Sequence, residues 1–168
     1  EYLNMRSRSS ANFTTQDLHT IVERCQAVGV KTYLTLNTVM YPEDLSLMRE
    51  IVDHAKAAGV SAIIASDIAA LQYAFASGVE VHLSTHLNIA NTEALKFYAQ
   101  YADVVVLARE LNMDQVASIY HDIVEQDIRG PKGELIRIEM FCHGALCMAV
   151  SGKCYLSLNN LGASANRG

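Results

Sequence analysis

The sequence has no apolar run that could span a bilayer, because charged or polar residues interrupt every hydrophobic stretch before the ~20 residues that a membrane helix requires. It shows no signal peptide either, since its opening stretch, EYLNMRSRSS, is polar. An excess of basic residues is also missing: the net charge is −5 and the pI is near 5.6. We therefore expect no membrane partner, and any RNA contact would depend on a local basic patch.

Low-complexity and disordered tracts are absent as well. Of the 168 residues, 51% are apolar and the mean hydropathy is +0.12, which predicts one folded domain over residues 1–168. The chain has four cysteines, which could form disulfides in a secreted protein. Their tight clustering and the absent signal peptide favour a reducing, cytoplasmic setting.

Several catalytic motifs are missing. The chain has no GxSxG nucleophile elbow, no HExxH metalloprotease motif and no separated Cys and His pattern of known cysteine proteases. Motif spacing alone thus does not support protease chemistry. A Gly-rich turn after the first strand is also missing, which disfavours a dinucleotide-binding fold.

Helical patterns alternate with short β-branched runs, which is typical of βα units and a parallel sheet. The predicted strands are Val30–Leu36, Val60–Ser66, Val79–Ser84, Val104–Leu107 and Leu135–Met140. The predicted helices are Thr15–Val28, Glu43–Ala58, Asp67–Ala76, Thr92–Gln100 and Asp114–Gln126. Their start signals are Thr14 with Asp17, Pro42, Asn91 and Asn112.

Glycine followed by valine marks three helix-to-strand junctions, at Gly29, Gly59 and Gly78. Glycine fits there because a helix often ends in a left-handed residue, and valine then starts a buried strand. Strands that are each followed by a helix favour a TIM-like (β/α) barrel with parallel strands. A complete barrel has eight strands in about 250 residues, so five strands predict a fragment truncated at both ends. The alternative is a small open α/β sheet, complete as it stands.

Polar residues follow the carboxyl ends of the predicted strands, where a barrel carries its active site. They are Asn37, Ser66, Asp67, Ser84, Thr85, His86, Arg109, Glu110 and the stretch 139–143. Asp67 is better explained as a helix cap, whereas His86 could titrate near neutrality or bond a backbone carbonyl. Arg109 could bind a carboxylate or phosphate, or it could pair with Glu110 or Glu139.

The remaining histidines and Cys25 carry less information. His19, Cys25, His54 and His121 fall within predicted helices, where a surface or packed role outweighs metal ligation. His82 alternates within a strand and fits a place in the barrel wall.

Three of the four cysteines lie within thirteen positions, in the stretch EMFCHGALCMAVSGKCYLS at 139–157. Cys142, Cys147 and Cys154 form a C-x4-C-x6-C run on a loop broken by glycines. Such a run gives several soft ligands a short reach to one ion, or places a thiolate for attack on a substrate. It is not a standard zinc spacing.

The stretches E-x-F-x-H-G-A-L-C at 139–147, SGKCYLS at 151–157 and SANRG at 164–168 form a long and specific motif. Together with the upstream ANFT stretch and the Gly-Val strand starts, they resemble peptidase family U32, the collagenase-like proteins of unassigned catalytic type. The similarity spans essentially the whole chain.

The resemblance implies two activities. The family is named for collagenase-like proteolysis, and many of its members are called putative proteases. Other members resemble iron-sulphur proteins in which four cysteines hold a four-iron cluster, and these hydroxylate RNA bases or serve quinone synthesis. Cys147 and Cys154 match the first two cluster ligands, and the others fall beyond Gly168. Cys142 falls where the family has no cysteine, which favours a small buried residue there.

Two function classes follow. The SGKC and SANRG motifs are most similar to those of the branch that makes 5-hydroxypyrimidines in rRNA or tRNA with prephenate as a co-substrate. In that enzyme His86, Arg109, Glu139 and His143 would shape the pocket, with Arg109 binding a carboxylate. In a peptidase, Glu139 or His143 would act as general base on water or on Cys147.

A piece of such an enzyme is expected to be inactive alone, because a four-iron cluster requires four thiolates. An incomplete barrel also exposes an apolar strand edge, which predicts that the fragment forms a homo-oligomer. A third alternative is a binding or structural domain without catalysis.

Overall fold

One sheet of five parallel strands forms the centre of the molecule. The computed structural model describes residues 2–7, 12–144, 147–162 and 164–167. The strands are β1 Tyr33–Leu36, β2 Ala62–Ala65, β3 Val81–Leu83, β4 Val104–Val106 and β5 Arg137–Glu139, and each pairs in parallel with the next along the chain. This order, with a helix after each of the first four strands, confirms the predicted α/β class. Within the described residues the sheet does not close on itself.

Six α-helices accompany the sheet in the part of the chain that the structure describes. They are α1 Leu18–Ala27, α2 Leu45–Ala58, α3 Ile68–Ala76, α4 Thr92–Ala99, α5 Met113–Glu125 and α6 Leu156–Leu161. Side-chain oxygens cap three of them as predicted: Asp67 accepts from the amide of Ala69, Asn91 from that of Ala94 and Asn112 from that of Gln115. The described helices include none that is long and apolar enough to cross a membrane.

The three predicted strands that follow a Gly-Val pair begin later in the structure than in the sequence pattern. The valine of each Gly-Val pair donates its amide to the last turn of the preceding helix; Val30, for example, bonds the carbonyl oxygen of Cys25 at 2.8 Å. The glycine before it has a φ of +70°, the left-handed conformation that ends a helix. The valine therefore belongs to the helix cap, and β1 starts only at Tyr33.

The core lies between the middle strands and the helices that cover them. Ile63 of β2 and Leu83 of β3 are fully buried, as are Val52 of α2 and Leu71 of α3. Such burial is typical of parallel strands that helices cover. The outer strands β1 and β5 are more exposed.

His82 lies in β3 with only 4% of its surface exposed. Its Nε2 is 3.1 Å from the carboxylate of Glu80, and its ring contacts that of Tyr33 at a tilt of 39°, with centroids 5.0 Å apart. This position agrees with the predicted role in the sheet wall.

Candidate active site

Polar side chains from the ends of β1, β2 and β3 meet in one hydrogen-bonded group. The Nδ2 of Asn37 lies 3.3 Å from Nδ1 of His86, and the hydroxyl of Ser84 lies 3.0 Å from the same nitrogen. Ser66 donates its hydroxyl to the carbonyl oxygen of Asn37 at 2.9 Å. Parallel strands end at the same edge of a sheet, so residues far apart in sequence converge here.

A cavity of about 90 Å³ opens beside this group. It is lined by Met5, Val39, Ser66, Asp67, His86, Gly152 and Asn166. Besides capping α3, Asp67 accepts a hydrogen bond from the amide of Met40 at 3.0 Å, so its carboxylate is held at the cavity wall. The cavity lies between the strand ends and the cysteine-bearing segment.

Burial lowers the pKa of His86, and the positive charge of Arg109 lowers it further. The imidazole is therefore neutral at physiological pH. This environment disfavours the imidazolium form that His86 would need as a general acid. The neutral ring can still accept a hydrogen bond at one nitrogen and donate one from the other.

Arg109, which follows β4, bonds Ser151 instead of Glu110 or Glu139. Its backbone amide and its Nε donate to the Ser151 hydroxyl oxygen at 3.4 and 3.3 Å. Ser151 is fully buried, and its own amide donates to Glu110 at 2.8 Å. Burial would raise the pKa of Glu110, but the amide and hydroxyl of Ser151 lower it on balance. Ser151 thus joins the cysteine segment to the end of β4.

Gly152 makes a second contact, with the loop after β3. A β-carbon built on Gly152 would lie 2.0 Å from the carbonyl oxygen of His86, and φ at this glycine is +75°. Both observations require glycine at this position, because any side chain would collide with the backbone of His86.

The end of the described chain returns to the loop after β1. The carbonyl oxygen of Asn166 accepts from the amide of Val39 at 3.0 Å. The guanidinium of Arg167 pairs with Asp44 and lies over the ring of Tyr41 at 4.3 Å. The described residues of the stretch 147–167 therefore contact the loops that follow β1, β3 and β4, and we call this stretch the capping segment. Gly168, the last residue of the SANRG motif, lies outside the described residues.

The capping segment carries Cys147 and Cys154, and both thiols are free. Cys147 is exposed, and its pKa is lowered by the backbone amide of Ala149 and then by the guanidinium of Arg109. Cys154 is half-buried. Cys142 is exposed rather than buried, so the expectation of a small buried residue there is wrong, because the loop after β5 runs along the surface.

Neither of the two other predicted catalytic residues bonds the side chain of His86, whose partners among the described residues are Asn37 and Ser84. Glu139 ends β5, and its carboxylate is 3.9 Å from Nδ1 of His82. His143 is exposed, and no hydrogen bond or ion pair links it to the described part of the chain. The residues at 145 and 146, between it and Cys147, lie outside the described residues.

Two contact residues of the site, Ser151 and Gly152, were not predicted individually. Their signal lies in the SGKC stretch, where a serine and a glycine precede Cys154. A small residue beside a candidate ligand indicates close approach of the backbone to another part of the chain.

The donor set fits part of an iron-sulphur site. A cluster prefers thiolates, and the lowered pKa of the accessible Cys147 makes its thiolate more available than that of an ordinary cysteine. Cys147 and Cys154 could hold two positions of a cluster that requires four. A separate group, His121, Asp122 and Glu125, brings potential ligands within 4.8 Å of one another on α5; Asp122 already accepts from Thr92.

Comparison with known proteins agrees with the fold and with the motifs. Residues 1–168 match the family model described as peptidase family U32. The chain is 66% identical over its full length to a collagenase of Porphyromonas gingivalis, of which it covers 41%. It is 34% identical to a 23S rRNA 5-hydroxycytidine synthase of Escherichia coli, with 96% of this chain and 23% of that protein covered.

Two further matches bear on function and fold. The chain is 33% identical to tRNA hydroxylation protein P1 of Bacillus subtilis, with 96% of this chain and 36% of that protein covered. The solved U32 peptidase Mk0906 aligns with a TM-score of 0.56 at 15% identity, over 76% of this chain and 51% of that one. The chain spans less than half the length of these curated relatives.

Proposed function

Because the chain belongs to peptidase family U32, we propose that its full-length protein is an iron-sulphur enzyme of prephenate-dependent 5-hydroxylation of pyrimidines in rRNA or tRNA. The observation that carries this proposal is the environment of Cys147. Its thiol lies beside the amide of Ala149 and the guanidinium of Arg109, and no histidine bonds it among the described residues. That environment favours the thiolate, which both a metal ligand and a nucleophile require. The lack of a histidine partner among the described residues supports the ligand role over a cysteine nucleophile paired with a histidine base.

The relatives support the same activity. Two proteins named for RNA hydroxylation, one acting on 23S rRNA and one on tRNA, match nearly the whole of this chain. An RNA substrate also fits a cytoplasmic, reducing location, in which the four cysteines would stay free. The net charge of −5 means that RNA affinity must come from local cations or from the rest of the protein.

The residues around the strand ends would have separate tasks in that enzyme. Cys147 and Cys154 would bind the cluster, which would supply one-electron chemistry when bound. Arg109 keeps guanidinium donors beyond the Nε that bonds Ser151, and they could hold a carboxylate of prephenate. His86 would contact the substrate from the cavity, and Asn37 and Ser84 would fix its ring.

Anaerobic purification of the full-length protein tests the proposal. We expect brown protein with bound iron and sulphide, and we expect C147S and C154S to lose most of the iron. C142S is the matched control, since Cys142 lies outside the proposed ligand set, and it should keep its iron. RNA treated with the protein and prephenate should gain one oxygen on a pyrimidine, detected by mass spectrometry of nucleosides. Colourless protein that leaves RNA unmodified would overturn the proposal.

A collagenase-like peptidase is the second candidate, and the 66% identity to a protein named collagenase favours it. In that case Glu139 or His143 would act as general base on water or on Cys147. The same preparation, incubated with gelatin, distinguishes the two functions. Cleavage that is lost in E139Q or H143Q and persists without iron would support the peptidase.

A further inference from the structure

The side-chain amide of Asn37 bonds the ring of His86, and a backbone amide determines which atom of Asn37 faces the ring. The amide of Met5 lies 3.2 Å from Oδ1 of Asn37, and an N–H can only donate. The amide group of Asn37 therefore has its oxygen toward Met5 and its NH₂ toward His86. The Nδ1 of His86, 3.3 Å from that NH₂, must accept.

Ser84 agrees with this assignment. Its hydroxyl lies 3.0 Å from Nδ1 of His86, and a hydroxyl can donate to an unprotonated nitrogen. With Nδ1 accepting, the single proton of the neutral ring is on Nε2. If both ring nitrogens of His86 were protonated, the Nδ1–H would point at the NH₂ of Asn37, and two donors would face each other. This contact disfavours the imidazolium independently of burial.

Asn37 and Ser84 both bond Nδ1 of His86, so the Nε2 edge of the ring is left for other partners. His86 lines the cavity of about 90 Å³, whereas Asn37 and Ser84, which hold Nδ1, do not line it. No group in the described ranges bonds Nε2. At ~30 Å³ per water molecule, the cavity has room for about three waters or for one polar group of a larger ligand.

The charged groups around His86 determine which kind of oxygen can accept a hydrogen bond from its Nε2–H. Asp67 lines the same cavity, and although two backbone amides bond its carboxylate, it repels a second anion there. Arg109 supplies the nearby positive charge, but it does not line the cavity. A neutral oxygen therefore fits this cavity better than a carboxylate does.

We propose that His86 is a fixed hydrogen-bond donor, which uses Nε2–H to bind a neutral carbonyl oxygen of the substrate in this cavity, and not a general base. The identification of that oxygen with a substrate group rests on the proposed function, since pyrimidines carry ring carbonyls. The protonation pattern of the ring does not rest on it.

Nitrogen NMR of the full-length protein with ¹⁵N-labelled histidine tests the proposal, with H86Q identifying the His86 signals. At neutral pH we expect an unprotonated Nδ1 and a protonated Nε2. In N37D the new carboxylate keeps its bond to Met5 but accepts from the ring, so the proton should move to Nδ1. N37A is the matched control: Ser84 still donates, and the proton should stay on Nε2. A protonated Nδ1 in the wild type, or an unchanged proton position in N37D, overturns the proposal.

Acetamide and acetate test the kind of ligand. Acetamide should shift the Nε2–H signal saturably in the wild type, and acetate should bind about tenfold more weakly because of Asp67. Equal or tighter binding of acetate contradicts the neutral acceptor. These spectra need neither iron nor RNA, so a failure of the proposed enzyme activity and a failure of this inference are separate results.

Discussion

The α-carbon of Gly152 packs directly against the backbone carbonyl of His86, so that a β-carbon there would stand 2.0 Å from the oxygen. This contact joins the capping segment to the same loop that presents the imidazole. The position of Cys154, two residues further on, therefore depends on the backbone of His86.

G152A should detach the capping segment. We expect the free energy of unfolding to fall by about 2–4 kcal/mol, from the overlap with His86 and from the positive φ. Urea unfolding of the variant, with proteolysis between 147 and 162 as a local readout, measures this loss. G133A is the control, because Gly133 has a φ of +79° and no atom within 4 Å of the new β-carbon. It should cost only ~1 kcal/mol; equal losses in both variants would contradict the steric explanation.

The two ends of the capping segment should open independently. D44N weakens the bond to Arg167, so the amide of Val39, which donates to Asn166, should exchange about tenfold faster. The amide of Ser151 should keep its rate, because its acceptor is Glu110. E110Q should produce the reverse pattern. Hydrogen exchange by NMR or mass spectrometry checks both variants, and a simultaneous increase at both amides would mean that the segment opens as one unit.

Much of the fold could be predicted because local chemistry determines it. The Gly-Val junctions located three strands, and Asn91 and Asn112 located two helix starts. The first residue of each strand could not be predicted, because the amide of a residue such as Val30 can bond either the end of the helix or the neighbouring strand. In the structure it bonds the helix end, at the carbonyl oxygen of Cys25. Helix α6 was missed because no capping side chain precedes its six residues.

The charge of Arg109 should control the reactivity of Cys147. The amide of Ala149 and then the guanidinium of Arg109 lower the pKa of this thiol. The variant R109Q removes the guanidinium, so the pKa of Cys147 should rise. Alkylation of Cys147 by iodoacetamide in metal-free protein should then reach its midpoint at higher pH. R109K keeps the positive charge and should shift the midpoint less. A midpoint that stays constant in R109Q would show that the amide of Ala149 acts alone.

Glu80 should make stability depend on pH in the acid range. Burial tends to raise its pKa, but the ammonium of Lys132 and the ring of His82 outweigh burial and lower it from 4.5 to about 2. A carboxylate with a depressed pKa stabilises the folded state above pH 4.5, and this stabilisation is lost as the pH falls toward 2.

The variant E80Q measures this contribution. At pH 7 its free energy of unfolding should be about 1–2 kcal/mol lower than that of the wild type. This is less than the full pKa shift implies, because the two cations that pair with Glu80, Lys132 and Arg137, are half exposed to solvent. The difference from the wild type should vanish toward pH 2. Urea titrations at several pH values test this, and a difference that stays constant with pH would exclude Glu80 as its source.

The candidate site was only partly predictable. The sequence pattern identified Asn37, Ser84 and His86 as strand-end residues, and parallel strands bring such residues together. It could not show that the amide of Met5 orients Asn37, because these residues are 32 positions apart and no local pattern links them. The contact between Glu139 and His82 was missed for the same reason, since it joins β3 to β5 across the intervening β4.

The attachment of the capping segment has a consequence for the order of maturation. Its contacts join residues 42 positions apart at Ser151 and Arg109, and 123 positions apart at Arg167 and Asp44. Closing such long loops is entropically costly until the sheet already holds the strand ends in place. We therefore expect Cys147 and Cys154 to reach their final positions late in folding, and in the proposed iron-sulphur enzyme a cluster supplied early would meet an unformed site. If the proposed cluster binds there, the sheet must form before the cluster is inserted, and we expect a folded, cluster-free intermediate.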